Sequence, residues 1–554
     1  MAVAGADLLE AVSARHSRVA GRELPGAAGR REVANPATGR AFATVTLLDA
    51  AQAAGAMGAA EAAFPAWAAR RFPERGQVLL RVRERLVEEA EEIASLIERE
   101  QGKPAAEAYL VELFPAAELL KHLAREAEDL LRDEPVEPTV LLLAHKEGRL
   151  VYEPLGVVLA ITPWNYPFLI SLSSVATALI AGNTVVLKPA PATTLTALRI
   201  AELFDAAGLP AGALSVVACD DAVAAGLVRD PRVAKVAFTG SVATGRKILE
   251  AAAANLTPVV LELGGKDAAV VCRDADLDQA ARGVVWGAFF NAGQTCASVE
   301  RVYVERAVAE PFLAKVVEHT RALRVGDPSQ APVEVGPLTL ERQRGLVADH
   351  VADAVARGAR VLAGGEAPPG PGWFYPPTVL AGVDHNMRIM REETFGPVLP
   401  VMVVDSLEEA VALANQSDYG LTASAWTRDP ETARRLQREL RAGAVTVNDA
   451  ASSYGEPAAP WGGFRQSGYG RMHGRAGLRE MVHVKYVARD TSRRPLLWWF
   501  PYDAELRRLA PVALRALHGR GLLRLRSLLR LALSPRVWRR ANLGGLLRHP
   551  DKLF

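Results

Sequence analysis

Cysteine is nearly absent from this chain: 554 residues contain three, Cys219, Cys272 and Cys296. So few, without a pattern, exclude a disulfide framework and predict a reducing, cytoplasmic setting. Aromatics make up only 6% of the chain, while half of it is hydrophobic and 23% charged. That is the composition of a soluble globular protein. The start at Met1 lacks a basic segment followed by an apolar one, so a secretory signal is not expected. No internal repeat is present, and neither a nucleic-acid partner nor a metal site is expected.

Charge is missing altogether between Glu153 and Lys188. The stretch resembles a membrane span, but Pro154, Gly156, Pro163, Asn165, Pro167, Gly182 and Asn183 divide it. Strand, loop, short helix and strand is the better reading, since a buried parallel sheet produces such apolar runs. Acidic residues are scarce in 491–554, which holds fourteen basic residues and three acidic ones, a net +11. The overall net charge of +2 therefore leaves −9 for the first 490 residues.

The length implies more than one domain. Short apolar strands near 156–161, 184–187, 214–217, 233–238 and 259–263 alternate with helical stretches, which predicts a doubly wound α/β domain. A second alternating set, with strands near 301–304, 398–404 and 444–448, predicts another. The Ala-rich stretch 50–69 is expected to be a helix. Leu79, Val82, Leu86, Ile93, Leu96 and Ile97 form the apolar face of one helix over 77–100. Residues 140–153 read as a hairpin turning at Glu147-Gly148.

Cys219 and Cys272 follow valines in apolar runs, whereas Cys296 follows small and polar residues in Asn291-Ala-Gly-Gln-Thr-Cys296. A thiol is a strong nucleophile once it is a thiolate, although most lone cysteines are buried hydrophobes. Gly240-Ser-Val-Ala-Thr-Gly245 sits between a strand and a helix beginning near Val242. Small residues there let a pyrophosphate approach backbone N–H groups, but the same residues make an ordinary tight turn. Glu262 ends a strand, a place for a catalytic carboxylate, although taken by itself it reads first as a solvated strand-end one. Asn165, between Pro163 and Pro167, is either an oxyanion donor or a turn former.

Taken together, seven runs resemble the aldehyde dehydrogenase superfamily. They are Pro163-Trp-Asn-Tyr-Pro167, Gly182-Asn-Thr-Val-Val-Leu-Lys-Pro189, Phe238-Thr-Gly-Ser241, Glu262-Leu-Gly-Gly-Lys266, Gly293-Gln-Thr-Cys296, Glu393-Thr-Phe-Gly-Pro397 and Pro460-Trp-Gly-Gly-Phe464. They occur in the family's order, and the resemblance covers about residues 30 to 490.

The resemblance implies NAD(P)-dependent oxidation of an aldehyde to a carboxylic acid. Cys296 would be the nucleophile, Asn165 an oxyanion donor and Glu262 the base that hydrolyses the thioester. For the cofactor it implies Trp164, Lys188, Gly240, Ser241, Gly245, Leu263, Gly264, Gln343, Glu393 and Phe395. Tyr166 and Trp461 would border the substrate tunnel and favour an apolar or aromatic aldehyde. Pro191 replaces a glutamate that many NAD-preferring relatives carry, which leaves NADP open beside NAD. Met472 stands where relatives often carry a second acidic residue, so deacylation would rest on Glu262.

The implied fold is α/β: a Rossmann-like cofactor-binding domain (1–132 and 153–264) and a catalytic domain (265–479). A β-hairpin oligomerisation flap (133–152 and 480–490) would give a homodimer or homotetramer. Residues 491–554 are extra. Within them 519–533 reads as a helix with Arg520, Arg524, Arg526 and Arg530 on one side and most leucines on the other. Such a helix either lies on an anionic membrane surface or packs on the body or on a partner subunit. Two other readings stay open: a CoA-acylating semialdehyde dehydrogenase, and a non-catalytic binding or structural relative.

Overall fold

Two mostly parallel sheets carry the fold of this computed structural model, which describes residues 14–140, 143–491, 496, 498–535 and 537. The first has eight strands, and its centre is the parallel set Val259–Glu262, Val233–Thr239, Val157–Ile161, Thr184–Lys188 and Leu214–Val216, in that spatial order. Their residues are almost all buried, as the uninterrupted apolar runs require of strands covered on both faces. Antiparallel Gly468–Tyr469 closes one edge, and Ser17–Val19 with Arg22–Leu24 closes the other.

In this sheet the chain winds outward from Val157–Ile161 in one direction, then returns to its other side with Val233–Thr239. The C-terminal ends of these two strands form a topological switch point, where doubly wound sheets bind ligands. The second sheet has seven strands in the order Arg360–Ala363, Thr378–Ala381, Val398–Val404, Val299–Glu305, Asp267–Val271, Thr422–Trp426 and Ala444–Val447. All its pairs are parallel except the first. Residues 263–266 lead from the first sheet, where a strand ends at Glu262, into the second, where one starts at Asp267; residues 448–467 lead back to the edge strand Gly468–Tyr469. Each sheet has its own apolar core.

The predicted strands agree with these to within two residues, and the Ala-rich stretch is a helix, Ala50–Ala68. The uncharged stretch 154–187 runs as strand, loop, helix and strand, and no helix among the described residues is long and apolar enough to cross a membrane.

Two expectations need correction. The single helix over 77–100 is two, Phe72–Glu88 and Ala90–Gln101, because Glu89 leaves helical geometry and ion-pairs with Arg199. The pair Glu147-Gly148 is not a turn: Lys146–Pro154 runs through it as one strand, antiparallel to Glu134–Val136. A Cβ on Gly148 would lie 2.6 Å from the Tyr486 hydroxyl, so the glycine serves a close ring approach within a strand. Residues 141 and 142 of the expected hairpin lie outside the described residues.

Leu131–Glu153 and His483–Phe554 form a separate compact unit. It contains the three-stranded sheet Val482–Asp490, Lys146–Pro154 and Glu134–Val136, and two helices, Ala504–His518 and Gly521–Ala532. In the second helix Ser527 is buried and Arg524 partly covered, while the leucines face outward. The expected division into an arginine side and a leucine side is therefore not the one the packing follows. Within the 491–554 segment, residues 492–495, 497, 536 and 538–554 lie outside the described residues.

Candidate active site

The loop after Val157–Ile161 carries Trp164, Asn165 and Tyr166, and a buried ion pair holds it. Lys103 Nζ donates to the Asn165 carbonyl at 3.0 Å and to Glu112 Oε1 at 2.5 Å. The other Glu112 oxygen accepts the N–H groups of Phe168 (2.8 Å) and Leu169 (3.1 Å), at the start of the helix Leu169–Ile180. The same ammonium lies 3.9 Å from the centroid of the Tyr166 ring, whose hydroxyl meets Thr295 Oγ1 at 2.7 Å. Sequence reasoning missed Lys103 and Glu112, because they lie among Glu98, Arg99, Glu100 and Glu107 and nothing local sets them apart from surface charges.

The segment leading to Cys296 is strained. Asn291, Ala292 and Gly293 have φ of 53°, 54° and 71°. Left-handed non-glycine residues cost about 1–3 kcal/mol each and need support from their surroundings. Glu107 accepts the Asn291 N–H, Gln101 donates to its Oδ1, and its Nδ2 donates to the carbonyls of Asn165 and Gln294. A Cβ on Gly293 would lie 2.2 Å from the Gly396 carbonyl oxygen, so that position admits no side chain.

Cys296 lines two cavities. One, of about 270 Å³, is walled by Tyr166, Ile170, Phe290, Tyr454 and Trp461 among others, with no charged side chain in its lining. The second, of about 510 Å³, is lined by Trp164, Asn165, Gly240, Ser241, Glu262, Leu263, Gly264, Gln343, Glu393 and Phe395. Cys219 and Cys272 line neither, and burial pushes their thiols up to about 11 and about 12. Burial pushes the Cys296 thiol up as well, and the carboxylates of Asp267, Glu393 and Glu262 add to this; the Ala297 N–H opposes it.

Glu262 is buried, and its Oε1 has no hydrogen-bond partner. Burial raises its pKa well above the usual range; Arg471 and the Trp461 indole oppose the shift, and Glu480 reinforces it. Glu480 itself pairs with Lys235 at 2.5 Å. Met472 packs in an apolar cluster with Val260, Ala297, Leu421 and Trp461. The acidic group within electrostatic reach of Glu262 is thus Glu480, eight residues beyond the position inspected in the sequence. Asn165 Nδ2 donates to the Gln294 carbonyl at 2.9 Å, which leaves its second N–H for another acceptor.

The second cavity suits a dinucleotide. Ser241 caps the helix Val242–Ala252, so that helix presents backbone N–H groups beside Gly240 and Ser241. A Cβ on Gly240 would strike the Phe238 ring at 2.6 Å, and one on Gly264 would meet Glu393 Oε2 at 2.2 Å. Both glycines form parts of the cradle that a side chain would fill. Trp164 and Phe395 meet edge to face, with ring centroids 5.4 Å apart. Glu393 accepts the Gly265 N–H at 2.9 Å, and burial pushes its carboxyl up to about 8. Glu300, paired with Lys266, accepts the N–H groups of Thr394 and Phe395 and so fixes their loop.

Of the expected cofactor residues, Lys188 and Gly245 lie outside this cavity's lining, whereas Gln343 lines it. Lys188 is buried outside this cavity's wall, 3.6 Å from Asp221. Gly245 lies under Leu263, where a Cβ would come within 2.7 Å of that side chain. Gln343 spends its amide N–H groups on the carbonyls of Thr394 and Phe395, which makes it a support for that loop. No cluster of metal-ligating side chains occurs among the described residues.

Two doubly wound sheets, with a thiol between an apolar cavity and a dinucleotide-sized one, define an oxidoreductase of the aldehyde dehydrogenase family. The chain belongs to that family, whose model matches residues 24–487. Betaine aldehyde dehydrogenase of Bacillus subtilis is 36% identical over 476 residues, covering 85% of this chain and 96% of the relative. A probable NADP+-linked succinate-semialdehyde dehydrogenase of Synechocystis is 38% identical, covering 82% and 98%. The crystal structure of Staphylococcus aureus betaine aldehyde dehydrogenase in complex with NAD+ superposes with a TM-score of 0.83 at 31% identity, covering 88% of this chain and 97% of that one.

Proposed function

We propose that this protein oxidises an uncharged, apolar or aromatic aldehyde to its carboxylic acid with NAD(P)+, using Cys296 as the covalent nucleophile. The observation that carries the reading is the position of Cys296 on the walls of both cavities. A nicotinamide bound in the larger cavity supplies the hydride acceptor. Trp164, Gly240, Ser241, Leu263, Gly264, Glu393 and Phe395 would hold it; Lys188 and Gly245 would support its adenosine end, and Gln343 the Phe395 loop.

The Cys296 thiol gives its proton to solvent water, the sulfur adds to the aldehyde carbon, and the carbonyl π electrons move to oxygen. The second N–H of Asn165 and the Cys296 main-chain N–H stabilise that oxyanion; losing such a donor costs about 10²–10³ in rate. Departure of hydride leaves a thioester on Cys296. Glu262 takes a proton from water, the resulting hydroxide adds to the acyl carbon, and the thiolate leaves.

The substrate class follows from the smaller cavity. About 150 Å³ of apolar space holds a benzene-sized ring. Here about 270 Å³ is walled by aromatic and aliphatic side chains, with no cation to receive a second carboxylate. Retention of Glu262 favours water over coenzyme A as the acyl acceptor. Thiol, amide and carboxyl in one site also argue against a non-catalytic relative.

Residues 1–132 with 153–264 would bind the cofactor, and 265–479 would carry the catalytic thiol, in line with the two sheets. The strand Val482–Asp490 exposes Val484 and Tyr486, which suits pairing with a second copy in a dimer or tetramer. A cytoplasmic location suits its three free thiols.

The test is NAD(P)H formation across a panel of aldehydes with wild type and Cys296→Ala. Aromatic or medium-chain aldehydes should outrun succinate semialdehyde, and Cys296→Ala should be inactive. Equal rates in the two proteins would refute the nucleophile; faster turnover of the acidic semialdehyde would refute the substrate class.

A further inference from the structure

The helices Ala504–His518 and Gly521–Ala532 form a hairpin whose apolar surface points the wrong way for a water-exposed pair. Ser527 is the buried residue of the second helix, and Arg524 donates back to the Ala516 carbonyl at 3.3 Å. Leu522, Leu525, Leu529 and Leu533 are instead 55–82% exposed. At 100° per residue they lie within one outward stripe, flanked on one side by exposed Arg526 and Arg530. Leu514 of the first helix is also exposed, as are Trp499, Phe500 and Tyr502 just before it. An apolar groove of about 860 Å³, with Trp498, Leu506, Leu509 and Leu531 in its lining, opens along the same hairpin.

Charge selects the kind of surface that would cover this face. Residues 506–550 contain eleven arginines and no Asp or Glu. Outward leucines beside arginines, with aromatics at the margin, are the marks of a helix lying in a membrane interface. Neither helix is long and apolar enough to cross. We propose that this hairpin docks on the surface of an anionic lipid bilayer, with the Leu522/Leu525/Leu529/Leu533 stripe in the acyl boundary and Arg526 and Arg530 at the phosphates.

Co-sedimentation of the full chain with vesicles tests this without reference to catalysis. The probes are phosphatidylcholine vesicles and phosphatidylcholine with phosphatidylglycerol at roughly 7:3. Wild type should sediment with the mixed vesicles, stay in solution with the neutral ones, and be released by about 0.5 M salt. The Leu522→Ser/Leu525→Ser/Leu529→Ser variant should bind about tenfold less. Arg526→Glu/Arg530→Glu should lose the preference for anionic vesicles; unchanged melting temperatures show that both variants fold. Wild type remaining in solution with both vesicle types overturns the proposal, and so does equal binding of wild type and the leucine variant. If wild type ignores vesicles and the leucine variant forms a smaller assembly, the face is a contact between copies of this chain and the proposal fails.

Discussion

Lys103 Nζ lies 3.0 Å from the Asn165 main-chain oxygen and 2.5 Å from Glu112, and neither charged side chain has exposed surface. One buried ion pair thus anchors the Asn165 loop, the Tyr166 wall and the start of the next helix. Breaking a buried pair strands the remaining charge, typically at about 3–5 kcal/mol. Lys103→Met should therefore lower unfolding stability by that order in denaturant titrations. Adding Glu112→Leu should recover much of the stability but not the activity, because the Asn165 loop still lacks its holder. Full recovery of kcat in the double variant would show that the pair matters for folding alone.

As the proposed base, Glu262 would act only when ionised, and burial raises its pKa well above the usual carboxylate range. Turnover should rise with pH until this group is ionised, and then level off. Glu480 raises that pKa further, so Glu480→Gln should move the midpoint of kcat against pH to lower values. Glu262→Gln should keep a first burst of NAD(P)H but lose about 10²–10⁴ in steady turnover. A midpoint that stays in place in Glu480→Gln would separate the two carboxyls.

Asp221 stands 3.6 Å from Lys188 and is almost fully exposed. If Lys188 meets the adenosine ribose as proposed, then with Pro191 carrying no charge the nearby Asp221 carboxylate would repel a 2′-phosphate. Asp221→Ser should raise kcat/KM for NADP+ relative to NAD+ about tenfold. An unchanged ratio in steady-state assays would exclude Asp221 from cofactor choice.

Asp267 begins an interior strand of the second sheet, accepts the Thr422 hydroxyl at 2.6 Å, and is pushed by burial from 3.8 to about 8. Its folded pKa lies above its unfolded one, so the folded state retains the proton more tightly. The associated stability is complete below the unfolded value and is lost as pH rises through about 8. Glu107 and Glu100, both raised to about 7, act in the same direction. Denaturant unfolding should show stability falling across that window, with a shallower fall in Asp267→Asn. A slope unchanged by that substitution would assign the effect to the other carboxyls.

Much of this was legible in the chain itself. Glu262, Asn165 and Gly240 lie in short runs at or just after a strand end, and Cys296 and Phe395 in tight segments that lead into a strand; such turns are encoded locally. The strands were legible because burial on both faces leaves continuous apolar runs. Glu147-Gly148 misled because a glycine that admits a ring looks like a glycine that turns. The break at Glu89 was invisible because its partner, Arg199, is 110 residues away.

The sequence alone therefore determined the order of the elements, singled out among three cysteines the one that lines both cavities, and carried the excess positive charge at the C-terminal end. Tertiary structure alone decided what surrounds those groups. It buried Lys103 against Glu112 and Asn165, set Glu480 within reach of Glu262, gave Gln343 to a loop carbonyl, and turned the leucines of Gly521–Ala532 outward. Burial and long-range electrostatics depend on which distant segments share a neighbourhood, and no local pattern of residues encodes that.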